Sequence, residues 1–217
     1  GDVKARQSQA IVACGRSRCW EGALEALADA ARFGMVPDTV SINAAITSLG
    51  RGLRWRWGAQ LLDRMPRGPG HRQAPTTVTL NAAIGASARA ECWFRSLALL
   101  GAFALLRLRG DLVSFSCAIS GRGFPNLRWM LALVMLDTVR HRGLVPDSIL
   151  YNLATSALFT DNGSALGGEL VGWSRAIALF GLMRAGVSVL TAASYNTAIN
   201  ACEKGTKWDS AWDIFSV

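Results

Sequence analysis

The stretch Asn81-Ala-Ala-Ile-Gly-Ala-Ser-Ala-Arg-Ala-Glu-Cys-Trp93-Phe-Arg-Ser-Leu-Ala-Leu-Leu-Gly-Ala-Phe103 contains a complete helix–turn–helix signature. After Trp93 comes a small residue at offset 3, Ser96, then Leu97 and Leu100 at offsets 4 and 7, and Phe103 at offset 10. These offsets fall on one stripe of an α-helix, so Trp93 opens an amphipathic helix. Upstream, Asn81 to Ala88 is short, rich in Ala and Ser, and carries Ile84 three residues after Asn81. It reads as a first helix, separated from the second by a turn.

The same wording runs along the whole chain. Trp20, Trp55, Trp93, Trp129, Trp173 and Trp208 lie 35, 38, 36, 44 and 35 residues apart. Self-similarity at such a period signals a solenoid of stacked supersecondary units. Offset 3 holds Ala23, Gly58, Ser96, Ala132, Ala176 and Ala211, small enough for a neighbouring helix backbone to come close. Offset 7 holds Leu27, Leu62, Leu100, Leu136, Phe180 and Phe215; offset 10 holds Ala30, Met65, Phe103, Val139 and Met183. About twelve residues before each Trp stands Ser8, Asn43, Asn81, Ser116, Asn152 or Asn196, the fifth after allowing for an insertion. Three residues further on comes Ile11, Ile46, Ile84, Ile119 or Ile199, and Thr155 breaks that column. The tryptophans themselves are expected to pack in the core.

The phrases Val36-Pro-Asp-Thr-Val-Ser-Ile-Asn-Ala-Ala-Ile, Val145-Pro-Asp-Ser-Ile-Leu-Tyr-Asn and Ala193-Ser-Tyr-Asn-Thr-Ala-Ile-Asn resemble pentatricopeptide repeats. So does Trp173-Ser-Arg-Ala-Ile-Ala-Leu-Phe-Gly-Leu-Met-Arg-Ala-Gly, while Ala201-Cys-Glu-Lys-Gly-Thr-Lys-Trp is similar to repeats of plastid-bearing protists. The resemblance covers essentially all of residues 1–217. It divides them into units at about 4–38, 39–76, 77–111, 112–147 and 148–191, with a partial sixth at 192–217. A tetratricopeptide repeat would instead place its Trp early in the first helix, with Leu-Gly soon after. Here the Trp opens the second helix and Pro-Asp joins the units.

The resemblance implies an all-α, right-handed α-solenoid without catalysis, cofactor or metal, in a chloroplast or mitochondrion. It implies single-stranded RNA as ligand, read at roughly one base per repeat by two or three side chains. The base-reading pairs it implies are Ser8 with Asp38, Asn43 with Thr76, Asn81 with Asp111, Ser116 with Asp147, and Asn152 with Thr191; Asn196 opens a sixth. In the family, Asn with Asp implies uracil and Ser with Asp implies guanine, which gives 5′-G-?-U-G-?-3′. Thr76 and Thr191 depart from the usual Asp, Asn or Ser. Val40, Val78, Val113 and Ile149 match the family's base-clasping position, and a core-edge role suits them equally. Arg16, Arg51, Arg89 and Lys204 match its phosphate-facing lysine; Phe124 and Thr160 stand there in the fourth and fifth units. Asn, Ser and Asp in these places are also good helix-capping residues.

Composition sets further bounds. A formal charge of +8 suits a polyanionic partner. Mean hydropathy of +0.24 with 18% charged residues is high for a free chain and suits either surface buried against a partner or more polar sequence on either side of these residues. The longest apolar run, Ser96 to Leu106, is about half of a bilayer crossing. The chain starts without Met and stops inside a second helix, so its ends read as trimmed and carry no information on targeting. No pair among Cys14, Cys19, Cys92, Cys117 and Cys202 has zinc-site spacing, and all five read as reduced thiols. No His-x-Glu with Cys-x-x-Cys suggests a deaminase. The insertions at 66–75 and 161–172 would interrupt an even base spacing. They favour the alternative role of a non-catalytic architectural subunit of an organellar assembly, such as a ribosome or a photosynthetic or respiratory complex.

Overall fold

The computed structural model describes residues 19–66, 73–121, 128–160, 169–185 and 190–204, together with Gln9 and Ala13; the side chains of 128, 159–160, 169–173 and 204 are outside that description. The described residues form ten helices and no strand. They are α1 (Trp20–Arg32), α2 (Thr39–Arg51), α3 (Trp55–Asp63), α4 (Thr77–Arg89), α5 (Trp93–Leu105), α6 (Leu112–Ile119), α7 (Arg128–His141), α8 (Ser148–Thr160), α9 (Glu169–Ala185) and α10 (Ala192–Lys204). The even-numbered helices are the first helices of the repeats and the odd-numbered ones the second.

Two compact units divide the chain, Gly1–Gly123 and Phe124–Val217. In the first unit α2, α4 and α6 pack side by side; α3 packs on α2 and α4, α5 on α4 and α6, and α1 on α2. In the second unit α8 and α10 lie side by side, α9 packs on both, and α7 packs on α8. α3, α5 and α9 thus each cover their own first helix and that of the next repeat.

The sequence columns explain this packing. At offset 3 Ala23, Gly58, Ser96, Ala132 and Ala176 are buried, and so are Ala30, Met65, Phe103, Val139 and Met183 at offset 10. Ile46, Ile84 and Ile119 are fully buried on the first helices. Thr155 takes the same place in α8 and satisfies its hydroxyl on the Tyr151 carbonyl at 2.9 Å, so this break in the apolar column leaves no orphaned donor. Close approach between first helices rests on small residues: a Cβ at Gly50 would lie 2.6 Å from the Ala86 Cβ. Gly121 approaches Ala88 in the same way.

Trp20, Trp55, Trp93 and Trp129 are not core residues, contrary to the expectation from sequence; Trp208 and the side chain of Trp173 lie outside the described residues. Trp20, Trp55 and Trp129 are half-buried and Trp93 is 42% exposed. Trp20, at the start of α1, stands against the turn that closes α2. A Cβ on Gly52 would collide with the Trp20 indole, and the Arg54 guanidinium stands 5.2 Å from the Trp20 ring centroid. In the second unit Arg175 stands 5.0 Å from the Trp129 centroid in the same relation. A cation over an indole face is attracted by the ring quadrupole. Trp173 departs further: α9 begins at Glu169, before the tryptophan.

Helix ends close by a repeated device. Gly34, Leu53, Glu91, Arg107 and Gly143 have positive φ, and the following N–H reaches back five residues, as in Arg54 to the Leu49 carbonyl at 2.8 Å and Cys92 to Ser87 at 2.9 Å. This is a Schellman-type closure of the orphaned carbonyls.

Candidate nucleic-acid interface

The residues before each first helix act first as caps. Oδ1 of Asp38 accepts from the Ser41 backbone N–H at 2.8 Å, Oδ1 of Asp111 from Ser114 at 2.9 Å, and Oδ1 of Asp147 from Leu150 at 2.8 Å. Thr76 accepts from the Thr79 N–H at 3.3 Å, and the Thr191 and Ser194 hydroxyls pair at 3.1 Å. Each of the first four satisfies a donor that the helix start would leave bare. The capping role that the sequence left open is therefore occupied at Asp38, Thr76, Asp111 and Asp147, while at Thr191 the bond runs the other way, from the Thr191 N–H to the Ser194 hydroxyl at 3.3 Å.

Capping does not exhaust these groups, because the cap of one first helix stands beside the fifth residue of the preceding one. Asn81 Nδ2 donates to Asp111 Oδ1 at 3.0 Å, joining α4 to the start of α6. The Ser114 hydroxyl donates to Asn81 Oδ1 at 2.6 Å and lies 2.9 Å from Asp111 Oδ1, so its single proton is shared. It also accepts from the Asp111 N–H at 3.1 Å. Burial pushes the Asp111 pKa up, but hydrogen bonds from the Ser114 N–H, the Asn81 amide, the Ser114 hydroxyl and its own backbone outweigh that and hold it below the usual carboxylate range. Asp111 is exposed and remains an anion at neutral pH.

The other pairs differ. Thr76 shares hydroxyl contact with Thr79 at 3.0 Å, and Asn43, half-buried, has an Oδ1 without a hydrogen-bond partner among the described residues. Asn152 is half-buried on α8; Thr191 and Asn196 are exposed. The Ser116 hydroxyl donates to the Val113 carbonyl at 3.0 Å; Ser116 lies in the first unit and Asp147 in the second. Ser8 falls outside the described residues.

The second residue of each first helix points to solvent. Val40 and Val78 are 62% exposed, Val113 54% and Ile149 61%, so none of the four belongs to the buried core. In α4 Val78 and Asn81 are three apart and hence neighbours on one helix face. Arg51 and Arg89 are exposed and close α2 and α4, where a cation also complements the helix dipole. Arg89 Nε donates to the Gly50 carbonyl at 3.3 Å. Burial lowers its pKa, nearby Cys117 opposes this and the Arg51 charge adds to it; a guanidinium stays protonated through such shifts. Arg16, Phe124 and the side chains of Thr160 and Lys204 lie outside the described residues.

Sequence reading missed Ser114 and its column. Ser41, Thr79, Ser114, Leu150 and Ser194 each stand three residues after a cap, and all are buried. The hydroxyl recurring at that spacing was the available signal. A groove of about 440 Å³ on the second-helix side of the first unit, lined by Leu24, Leu27, Trp57, Leu61, Met65 and others, was equally unforeseen. Among the described residues no cluster of His, Cys, Asp or Glu could hold a metal ion, no helix is long and apolar enough to cross a membrane, and Cys19, Cys92, Cys117 and Cys202 are free thiols.

No protein-family model matches the sequence, and no curated protein is significantly similar to it. Solved structures are similar. Two are of the pentatricopeptide repeat protein PPR10 in complex with an 18-nt psaJ RNA element, one of them a cysteine-substituted form; each has a TM-score of 0.73 at 17% identity over 97% of this chain. PPR10 from maize matches with a TM-score of 0.56 at 22% identity, again over 97% of this chain. The chain spans 29% of the length of the first two and 33% of the third. The fold is that of the pentatricopeptide helical repeats.

Proposed function

We propose that this chain is the single-stranded RNA-binding solenoid of an organellar, plastid or mitochondrial, protein, reading roughly one base per repeat along its first helices, with repeats bounded as the sequence columns divide them. The observation that carries this reading is the Asn81–Asp111 pair. It sets an amide and an anionic carboxylate side by side near two exposed aliphatic side chains, Val78 and Val113. Every hydrogen bond described for the Asp111 carboxylate falls on Oδ1, so Oδ2 is the acceptor offered to a ligand. The second Nδ2–H of Asn81 is the donor beside it. Uracil offers the complement, an N3–H and a carbonyl oxygen, whereas cytosine N3 carries no proton and would face the carboxylate lone pair. The aliphatic side chains would cover the faces of the base, and Arg51 and Arg89 would meet phosphates. No bond is made or broken in this reading, and no cofactor or metal enters it. The RNA-bound PPR10 structures support it by fold.

The test is Asn81→Ser, assayed against RNAs that differ at one base. The preference at the base facing this repeat moves from U towards G if the pair reads it, and an unchanged preference overturns reading by this repeat.

A second role, as an architectural subunit of an organellar assembly, is favoured by Phe94 at 73% and Leu105 at 86% exposed on α5. An outward apolar face on a second helix suits a protein partner. RNA-independent retention in one large complex would favour that role.

A further inference from the structure

An asparagine amide can present two opposite edges, because a half-turn of the amide exchanges donor and acceptor. In α4 the choice is fixed. The Asp111 carboxylate accepts only, so Nδ2 must turn towards it, and the Ser114 hydroxyl, 2.9 Å from the same carboxylate oxygen, then meets Oδ1 at 2.6 Å. Ser114 is fully buried and held by its own helix start through the Asp111 N–H. The preceding pair of repeats supplies an internal contrast. Thr79 occupies the position equivalent to Ser114, yet its hydroxyl turns to Thr76, and Asn43 Oδ1 has no partner among the described residues. A side-chain hydroxyl three residues after the cap is therefore common to both repeats. Contact with the preceding repeat's asparagine is described for Ser114 alone of the two.

We infer that Ser114 is a positioning residue that locks the Asn81 amide against rotation and so sets uracil-over-cytosine discrimination at the base facing Asn81 and Asp111. This rests on the base-reading role proposed above. With the lock in place, the Asn81 donor and the Asp111 acceptor stay adjacent in one fixed order. Without it the amide loses one of its two anchors, and the rotated form, with its carbonyl oxygen outward, accepts from the cytosine amino group. Asn43 is the unlocked case within the same chain, and its repeat tolerates both pyrimidines.

The experiment measures affinity of the whole chain for two single-stranded RNAs that differ only by U or C at that base, with a second pair varied at another repeat's base as control. Ser114→Ala is expected to reduce the U-to-C affinity ratio about three- to tenfold, the worth of one hydrogen bond, and leave the control ratio alone. A purely structural serine would lower every affinity alike with both ratios intact, and that result overturns the inference. An unchanged ratio does the same. If the alanine variant fails to fold, Ser114→Cys keeps the volume with a weak donor and reads the same ratio. Absence of any U preference in the wild-type chain is distinguishable from these outcomes, because it defeats base reading by the pair itself.

Discussion

Asn81 Nδ2 and Asp111 Oδ1 stand 3.0 Å apart although thirty residues of chain separate them. One carboxylate oxygen thereby caps α6 and ties it to α4. The capping role of these residues is compatible with the recognition role proposed for them.

Replacing Asp111 with Ala removes a cap and this bridge together. The expected loss is about 1–2 kcal/mol of stability by urea denaturation. The same carboxylate makes stability depend on pH. Its folded pKa lies below its unfolded value, so its contribution is complete above the ordinary carboxylate range and is lost as pH falls through the folded pKa. The Asp111→Asn variant should therefore lose less stability than wild type between about pH 5 and about pH 2. Equal losses would show that Asp111 has no special share in acid unfolding.

Gly50 and Gly58 should respond oppositely to alanine. At Gly50 the new Cβ would sit 2.6 Å from the Ala86 Cβ and 2.8 Å from its Cα, so two first helices must part; the expected loss is about 1–3 kcal/mol. At Gly58 the nearest atom is Ile46 Cγ2 at 3.6 Å, an ordinary contact. Alanine there should gain up to about 1 kcal/mol from helix propensity. Thermal melts of the two variants check both signs.

Much of this architecture was legible in the chain because stacked helices must repeat their small and apolar positions. Ala23, Gly58, Ser96, Ala132 and Ala176 announced the close approaches, and Ile46, Ile84 and Ile119 the buried stripe. The tryptophans marked the period correctly but not their place. A period shows that a residue recurs; whether Trp20 enters the core or lies on Gly52 depends on the turn of the next repeat. The start of α9 at Glu169 was hidden by an insertion that shifts the spacing. At the candidate site the caps were visible in the residue types before each first helix, and the aliphatic positions came with the resemblance to the family. The Ser114–Asn81 contact was not visible, because it depends on which neighbour a buried hydroxyl turns to, and Thr79 turns the other way.

Left-handed turn residues give a third contrast. Leu53 has φ of 58°, a conformation costing a side chain about 1–2 kcal/mol, while glycine would loosen the unfolded chain by about 0.4–1 kcal/mol. Leu53→Gly should therefore stabilise by about 0.5–1 kcal/mol, and Gly34→Ala, at φ of 66°, should destabilise by a similar amount. Chemical denaturation of both variants reads the two shifts.

Phosphate contact should appear in the salt dependence. If Arg16, Arg51, Arg89 and Lys204 all meet phosphates, the log–log slope of RNA affinity against salt is roughly −3, and Arg51→Gln or Arg89→Gln each reduces it by about 0.7. A slope near zero would remove these cations from the interface.

The most direct test of base reading is selection of RNA by this chain from a random single-stranded pool at physiological salt. Sequence reading through the first helices predicts enrichment of a G-x-U-G core, with the U lost or moved towards G in Asn81→Ser. Failure to enrich any motif, or failure to bind RNA at all, would contradict it.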